Sequence, residues 1–159
     1  MNRGCYSAAT NETDVSQCPR SGTAGTKVDL VTLKALLTRA ALRRLDGRAY
    51  RFCPDPSCDL VYFDRKAGSL FGKRDLSVRV GLKESEDPIT VCYCFGFTAA
   101  DLRNDIAKRG ATDIPAAITA EIKAGHCACE VKNPQGSCCL GNVSKTMKQL
   151  SRIARESSG

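Results

Sequence analysis

The sequence predicts an α+β fold in two small modules, an antiparallel sheet module followed by an all-helical one. Three observations lead there. Short β-prone runs broken by Pro, Asp and Gly occupy residues 49–82, helical periodicity dominates from residue 99 onward, and "GLKESEDPIT" between them, charged and without apolar periodicity, reads as a linker or exposed crossing near residues 82–90. The expected organisation is a flexible leader over 1–17, a first module over 18–84 and a second over 85–159.

The chain opens with a disordered-looking, polar leader to about residue 25. In "VDLVTLKALLTRAALRRL", Leu33, Leu36, Leu37, Ala40, Ala41 and Leu45 recur near a 3.6-residue period, which predicts one or two short helices between Thr32 and Leu45, ended by Asp46 and Gly47. "AYRFC", "DLVYFD", "GSLFG" and "LSVRVGL" follow as expected strands. In the second module "VCYCFGFT" reads as an extended loop. A capping box from Thr98 to Asp101 then starts the helix "AADLRNDIAKRG", which Gly110 stops. "PAAITAEIKAG" is a second helix with proline in its first turn and Gly125 after its last. Beyond the loop "HCACEVKNPQGSCCLG" a final helix puts Val143, Met147, Leu150 and Ala154 on one face, with Lys145, Lys148, Arg152 and Arg155 elsewhere.

Ten cysteines, at 5, 18, 53, 58, 92, 94, 127, 129, 138 and 139, demand an explanation in 159 residues. A disulfide framework and a set of thiolate metal sites compete. The first residues lack the apolar core of a signal peptide, and no run approaches the roughly 18 apolar residues of a membrane span, so a reducing cytoplasmic setting is expected. Adjacent Cys138 and Cys139 also suit metal ligation better than a disulfide scaffold. Thiolate sites use four ligands, and the cysteines divide into an early group of four and a late group of six, leaving two spare. Modules this small bury little apolar surface and commonly need a metal.

In the first module "CPDPSC", Cys53 to Cys58, is a proline-stiffened knuckle that turns two sulfurs toward one point. Its expected partners are Cys18 and Cys5, giving a tetrahedral zinc site. Ser21 stands where a C-x-x-C partner of Cys18 would be, and serine is a poor zinc ligand, so Cys5 is expected to complete the set. Two metal-free pairs of half-buried cysteines are the alternative. In the second module Cys92 and Cys94 supply one C-x-C pair to a binuclear [2Fe-2S] cluster, which takes two thiolates per iron; Cys127, Cys129, Cys138 and Cys139 are candidates for the other. Tyr93, Phe95 and Phe97 are expected to shield it from water.

"VCYCFGFT", the paired helices and "CACEVKNPQGSCCLGNV" together resemble the iron–sulfur module in the N-terminal domain of CopZ-type copper chaperones, itself similar to the bacterioferritin-associated ferredoxin family. "CP" near the start, "YRFCPDPSCDLVYF" and "RVGLKE" look like the zinc-binding portion of the same domain, so the resemblance covers about residues 16–145. It implies a [2Fe-2S] cluster, a mononuclear zinc, and copper handling in which the redox centre reduces cupric to cuprous ion. The implied partners are copper, a copper-transporting ATPase or a separate copper-carrying domain, and an electron donor. The resemblance favours the later member of each late pair, Cys129 and Cys139, as cluster ligands. Cys127 and Cys138 are then spare: a transient soft-metal site, alternative ligands, or inert. The M-x-C-x-x-C loop of a copper-carrying domain is not in the sequence, which looks like the redox and zinc domain standing alone.

The formal charge of +7 counts every thiol as neutral. Two four-thiolate sites would bring it to roughly +3. The basic residues are spread over three helices, which argues against nucleic-acid binding. With one histidine, His126, and no G-x-S-x-G, phosphate loop or nicotinamide fingerprint, conventional catalysis has no support, and electron transfer to a metal ion is the activity to expect. The other function classes are a ferredoxin-like partner of a reductase and a zinc-only regulatory module.

Overall fold

In the computed structural model, which describes residues 15–157, the chain runs through β1 (Thr26–Lys27), α1 (Leu30–Leu36), α2 (Arg39–Leu42), β2 (Arg51–Phe52), β3 (Leu60–Asp64) and β4 (Ser69–Gly72). The strands form one antiparallel sheet in the order β1-β2-β3-β4. The expected helical run is two helices because Leu37 and Thr38 are extended between them. Leu37 bridges to Leu76, the Thr38 N–H donates to the Asp75 carbonyl at 2.7 Å, and Thr38 Oγ1 caps α2 by accepting the Ala41 N–H.

β3 is buried along its whole length, which is why "LVYF" is apolar without alternation. Val61 and Tyr62 join Leu33, Leu37, Ala41, Tyr50, Phe52 and Phe71 in the main core. Leu60 and Phe63 pack instead with Cys18 and Cys53, so one strand backs both the core and the first cysteine group. At its end the buried Asp64 carboxylate accepts N–H bonds from Arg48, Ala49, Lys66 and Ala67. Burial raises this carboxyl, but the four donors outweigh it and hold its pKa below the ordinary value. The stabilisation is therefore fully present above an unfolded pKa of about 4 and is lost as pH falls through the lower folded value. Asp64→Ala is expected to cost roughly 3 kcal/mol at pH 7, measured by urea unfolding, with the penalty shrinking in acid.

The second half consists of a hairpin, β5 (Thr90–Cys92) and β6 (Phe97–Thr98), then α3 (Ala99–Arg109), α4 (Ile114–Lys123), α5 (Cys129–Lys132) and α6 (Leu140–Ser157). The capping box forms as expected, Thr98 and Asp101 bonding reciprocally, and Gly110 ends α3 at φ 73°, a left-handed conformation that favours glycine. Leu102, Ile114, Ile118 and Val143 close a second core with Val91, Cys92 and Cys139. Ala154, expected on the apolar stripe of α6, is exposed, because the helix outruns the core it packs on.

Four expectations need correction. The second half is not all-helical, since "VC" and "FT" pair as a hairpin around the bend that carries Cys94. "LSVRVGL" is no strand: the Ser77 N–H is taken by the Leu36 carbonyl at the end of α1, and the segment finishes in a 3-10 turn over Gly81–Lys83. Residues 16–25 are not loose leader, because the Gly25 N–H donates to Ser16 and the Cys18 N–H to Thr23, closing a turn around Cys18. The crossing at 81–90 is exposed only over residues 85–88, and its start is packed in. Lys83 is buried, and a Cβ on Gly81 would stand 2.0 Å from the Thr90 carbonyl oxygen, so only glycine permits that approach.

The two halves meet where the Tyr62 hydroxyl donates to the Pro134 carbonyl at 2.6 Å and where α5 packs on α1. No helix among the described residues is long and apolar enough to cross a membrane.

Candidate metal centres

Cys18, Cys53 and Cys58 bring their sulfurs within 4.8 Å of one another, at the turn after Ser16 and at the two ends of the knuckle. Cys53 leaves β2 fully buried, and its N–H donates to the Val61 carbonyl across the sheet. The Cys58 N–H donates to Asp55, closing the knuckle, and Asp55 in turn accepts from the Ser57 N–H and hydroxyl. The turn bearing Cys18 is clamped over it by Arg20, which donates to both carboxylate oxygens of Asp59 at 2.8 and 3.0 Å. Cys18 and Cys58 sulfurs lie 4.0 Å apart, close to the roughly 3.8 Å edge of a tetrahedron with zinc–sulfur bonds of about 2.3 Å. Burial raises the Cys18 thiol, but hydrogen bonds from Ser21 and from the Arg20 backbone bring it down to about 7. Burial pushes Cys58 up. This all-sulfur set fits zinc. Cys5, the expected fourth ligand, lies outside the described residues.

Lys83 was not legible as part of this site. It is 5% exposed, and its ammonium donates to the carbonyls of Asp55 at 2.7 Å and Cys58 at 3.0 Å while sitting 5.7 Å from the centre of the Phe52 ring. It ties both arms of the knuckle to the crossing that leads into the second half. Removing it takes the ammonium's two bonds from the carbonyls of the knuckle, so Lys83→Met is expected to cost about 2 kcal/mol in denaturant unfolding.

In the second half the Cys94 sulfur lies 3.3 Å from that of Cys129, and Cys92 and Cys139 are buried in the same core. Cys92, Cys129 and Cys139 are buried and Cys94 is half-buried, whereas Cys127 and Cys138 are exposed. Burial, then the hydrogen bond to Cys92, pushes the Cys139 thiol up to about 12, and burial raises Cys129 as well. Cys127 lies 3.3 Å from Cys129 and forms with it and Cys94 a three-sulfur group within 4.8 Å. Its thiol is lowered by the Cys129 backbone N–H. The Ala128 N–H donates to the Cys94 sulfur at 3.3 Å. Phe95 and Phe97 pack against this core as expected, but Tyr93 does not shield it: its hydroxyl accepts the Gly81 N–H at 2.8 Å and donates to the Arg79 carbonyl, facing the first half. His126 joins neither group; it is exposed and bonds Glu121 at 2.6 Å.

A family model described as a zinc-binding domain, that of CopZ, matches residues 15–77. The X-ray structure of the Archaeoglobus fulgidus CopZ N-terminal domain superposes with a TM-score of 0.69 at 33% identity, covering 81% of this chain and 95% of that one. The chain belongs to the CopZ N-terminal-domain family. The copper chaperone CopZ of Archaeoglobus fulgidus is 36% identical over 123 residues, 77% of this chain, and the matched region spans 57% of that relative's length. The mixed fold with its antiparallel sheet is thus the fold of a CopZ domain, and the family model falls on the half that holds Cys18, Cys53 and Cys58.

Proposed function

We propose that the chain is a cytoplasmic metal-homeostasis protein that holds a mononuclear zinc and a [2Fe-2S] cluster and acts in copper handling by reducing cupric to cuprous ion. The observation that carries this reading is the gathering of the late thiols, Cys94 with Cys129 at 3.3 Å and Cys92 with Cys139 in one buried core, beside a separate early group. Two pairs of thiols brought together from two loops match a donor set of two thiolates per iron. Cys92, Cys94, Cys129 and Cys139 are the proposed cluster ligands, and Cys18, Cys53 and Cys58 hold zinc.

When bound, such a cluster supplies one electron at a time, the number that separates cupric from cuprous ion. The rest is done by the chain. Phe95 and Phe97 keep water from the sulfurs, and the Ala128 N–H fixes the Cys94 sulfur and stabilises it as a thiolate. Exposed Cys127 and Cys138 offer thiolate, the donor that cuprous ion prefers, at the edge of the site. The ion's onward acceptor is proposed to be a copper-transporting ATPase or a separate copper-carrying domain, in keeping with the relative's description as a copper chaperone.

The test is anaerobic stopped-flow mixing of dithionite-reduced, desalted protein with cupric ion. We expect reoxidation of the visible chromophore with one cuprous ion trapped by a cuprous-specific chelator per electron, in the wild type and in Cys127→Ser/Cys138→Ser alike. Protein that exchanges electrons with a flavin reductase but leaves cupric ion untouched would instead be a ferredoxin-like electron-transfer partner.

A further inference from the structure

The three early sulfurs leave one corner of a tetrahedron to fill, and the hydroxyl of Ser21 lies beside them. Ser21 Oγ lies 3.5 Å from the Cys53 sulfur. An oxygen ligand at about 2.0 Å and a sulfur ligand at about 2.3 Å from a tetrahedral zinc are about 3.5 Å apart, so this hydrogen-bonded spacing also fits two ligands on one ion. The hydroxyl is also held in place. The Thr23 N–H donates to it at 3.3 Å, and the turn that presents it is closed by the Cys18 N–H to Thr23 at 2.8 Å and the Gly22 N–H to Cys18 at 2.9 Å. Arg20, between the two candidate ligands, anchors the turn to Asp59 just past the knuckle.

We propose that Ser21 Oγ is the fourth ligand of the zinc site, making it a three-sulfur, one-oxygen centre closed without Cys5. This rests on the zinc reading above and specifies its ligand shell. Replacing a soft thiolate by a neutral hydroxyl weakens the hold on zinc and leaves one corner that a competing thiol can take, so the site gives up its metal more readily than a four-sulfur site.

Zinc-edge X-ray absorption of the full chain tests this, because the iron does not contribute to the signal. The expected shell is three sulfurs at about 2.3 Å and one oxygen at about 2.0 Å. Cys5→Ser should leave that shell unchanged, and Ser21→Cys should convert it to four sulfurs. A four-sulfur shell in the wild type that drops to three in Cys5→Ser would overturn the assignment. A chelator-release assay separates the hydroxyl from a bound water: Ser21→Ala is expected to lose zinc about tenfold faster, and an unchanged rate would count against Ser21 as a ligand. Metal analysis that finds no zinc in the wild type would overturn the zinc reading itself, and that result is distinct from a four-sulfur shell.

Discussion

Cys92→Ala, purified without oxygen, is expected to come out colourless and iron-free while keeping its zinc. Cys92 is fully buried in β5, in one core with Cys139, Val91, Leu102, Ile118 and Val143. Of the two spare thiols, Cys127 groups with Cys94 and Cys129 instead, and Cys138 is exposed outside this core. An iron left with one thiolate where two are needed is lost, so cluster content should fall at least about tenfold. Cys127→Ala is the matching control, expected to keep the cluster because the proposed set does not use it. The opposite pattern, with iron retained in Cys92→Ala and lost in Cys127→Ala, would assign the cluster to the Cys94, Cys127 and Cys129 group.

Zinc removal should have the next largest effect, and a local one. Cys18 and Cys53 are part of a small core with Leu60 and Phe63, separate from the main core under α1 and α2. Structural zinc in small domains contributes roughly 10–16 kcal/mol of apparent binding free energy, much of it spent on folding the segments that supply the ligands. Stripping the metal with a chelator is therefore expected to abolish amide protection over residues 16–25 and 53–60, while α3, α4 and α6 keep theirs, as read by hydrogen exchange and mass spectrometry. Protection unchanged over both segments would mean that the sheet alone holds the cysteines together.

The features legible in the sequence are those whose cause is local. The Thr98 and Asp101 box and Gly110 bound α3 because a cap acts within a few residues, and the knuckle "CPDPSC" is written contiguously. "DLVYFD" was legible as a strand, but its burial on both faces depends on Cys18 arriving from far away in the chain. "LSVRVGL" misled because β-propensity needs a partner edge, and its backbone is spent on the end of α1. Lys83 carried no mark of burial inside a charged stretch; only the fold brings the carbonyls of Asp55 and Cys58 to its ammonium. Tyr93 looked like a neighbour of Cys92 and Cys94, yet alternation around the hairpin turns it toward Arg79 and Gly81.

The proposed function requires two different metal centres in one chain, and the most direct measurement of them is metal analysis with absorption and EPR spectra of anaerobically purified protein, before and after dithionite. It predicts about two irons and one zinc per chain, visible bands that bleach on reduction, and an S = 1/2 signal from the reduced protein. Colourless protein holding two zincs and no iron, even after cluster reconstitution, would contradict it and leave a zinc protein.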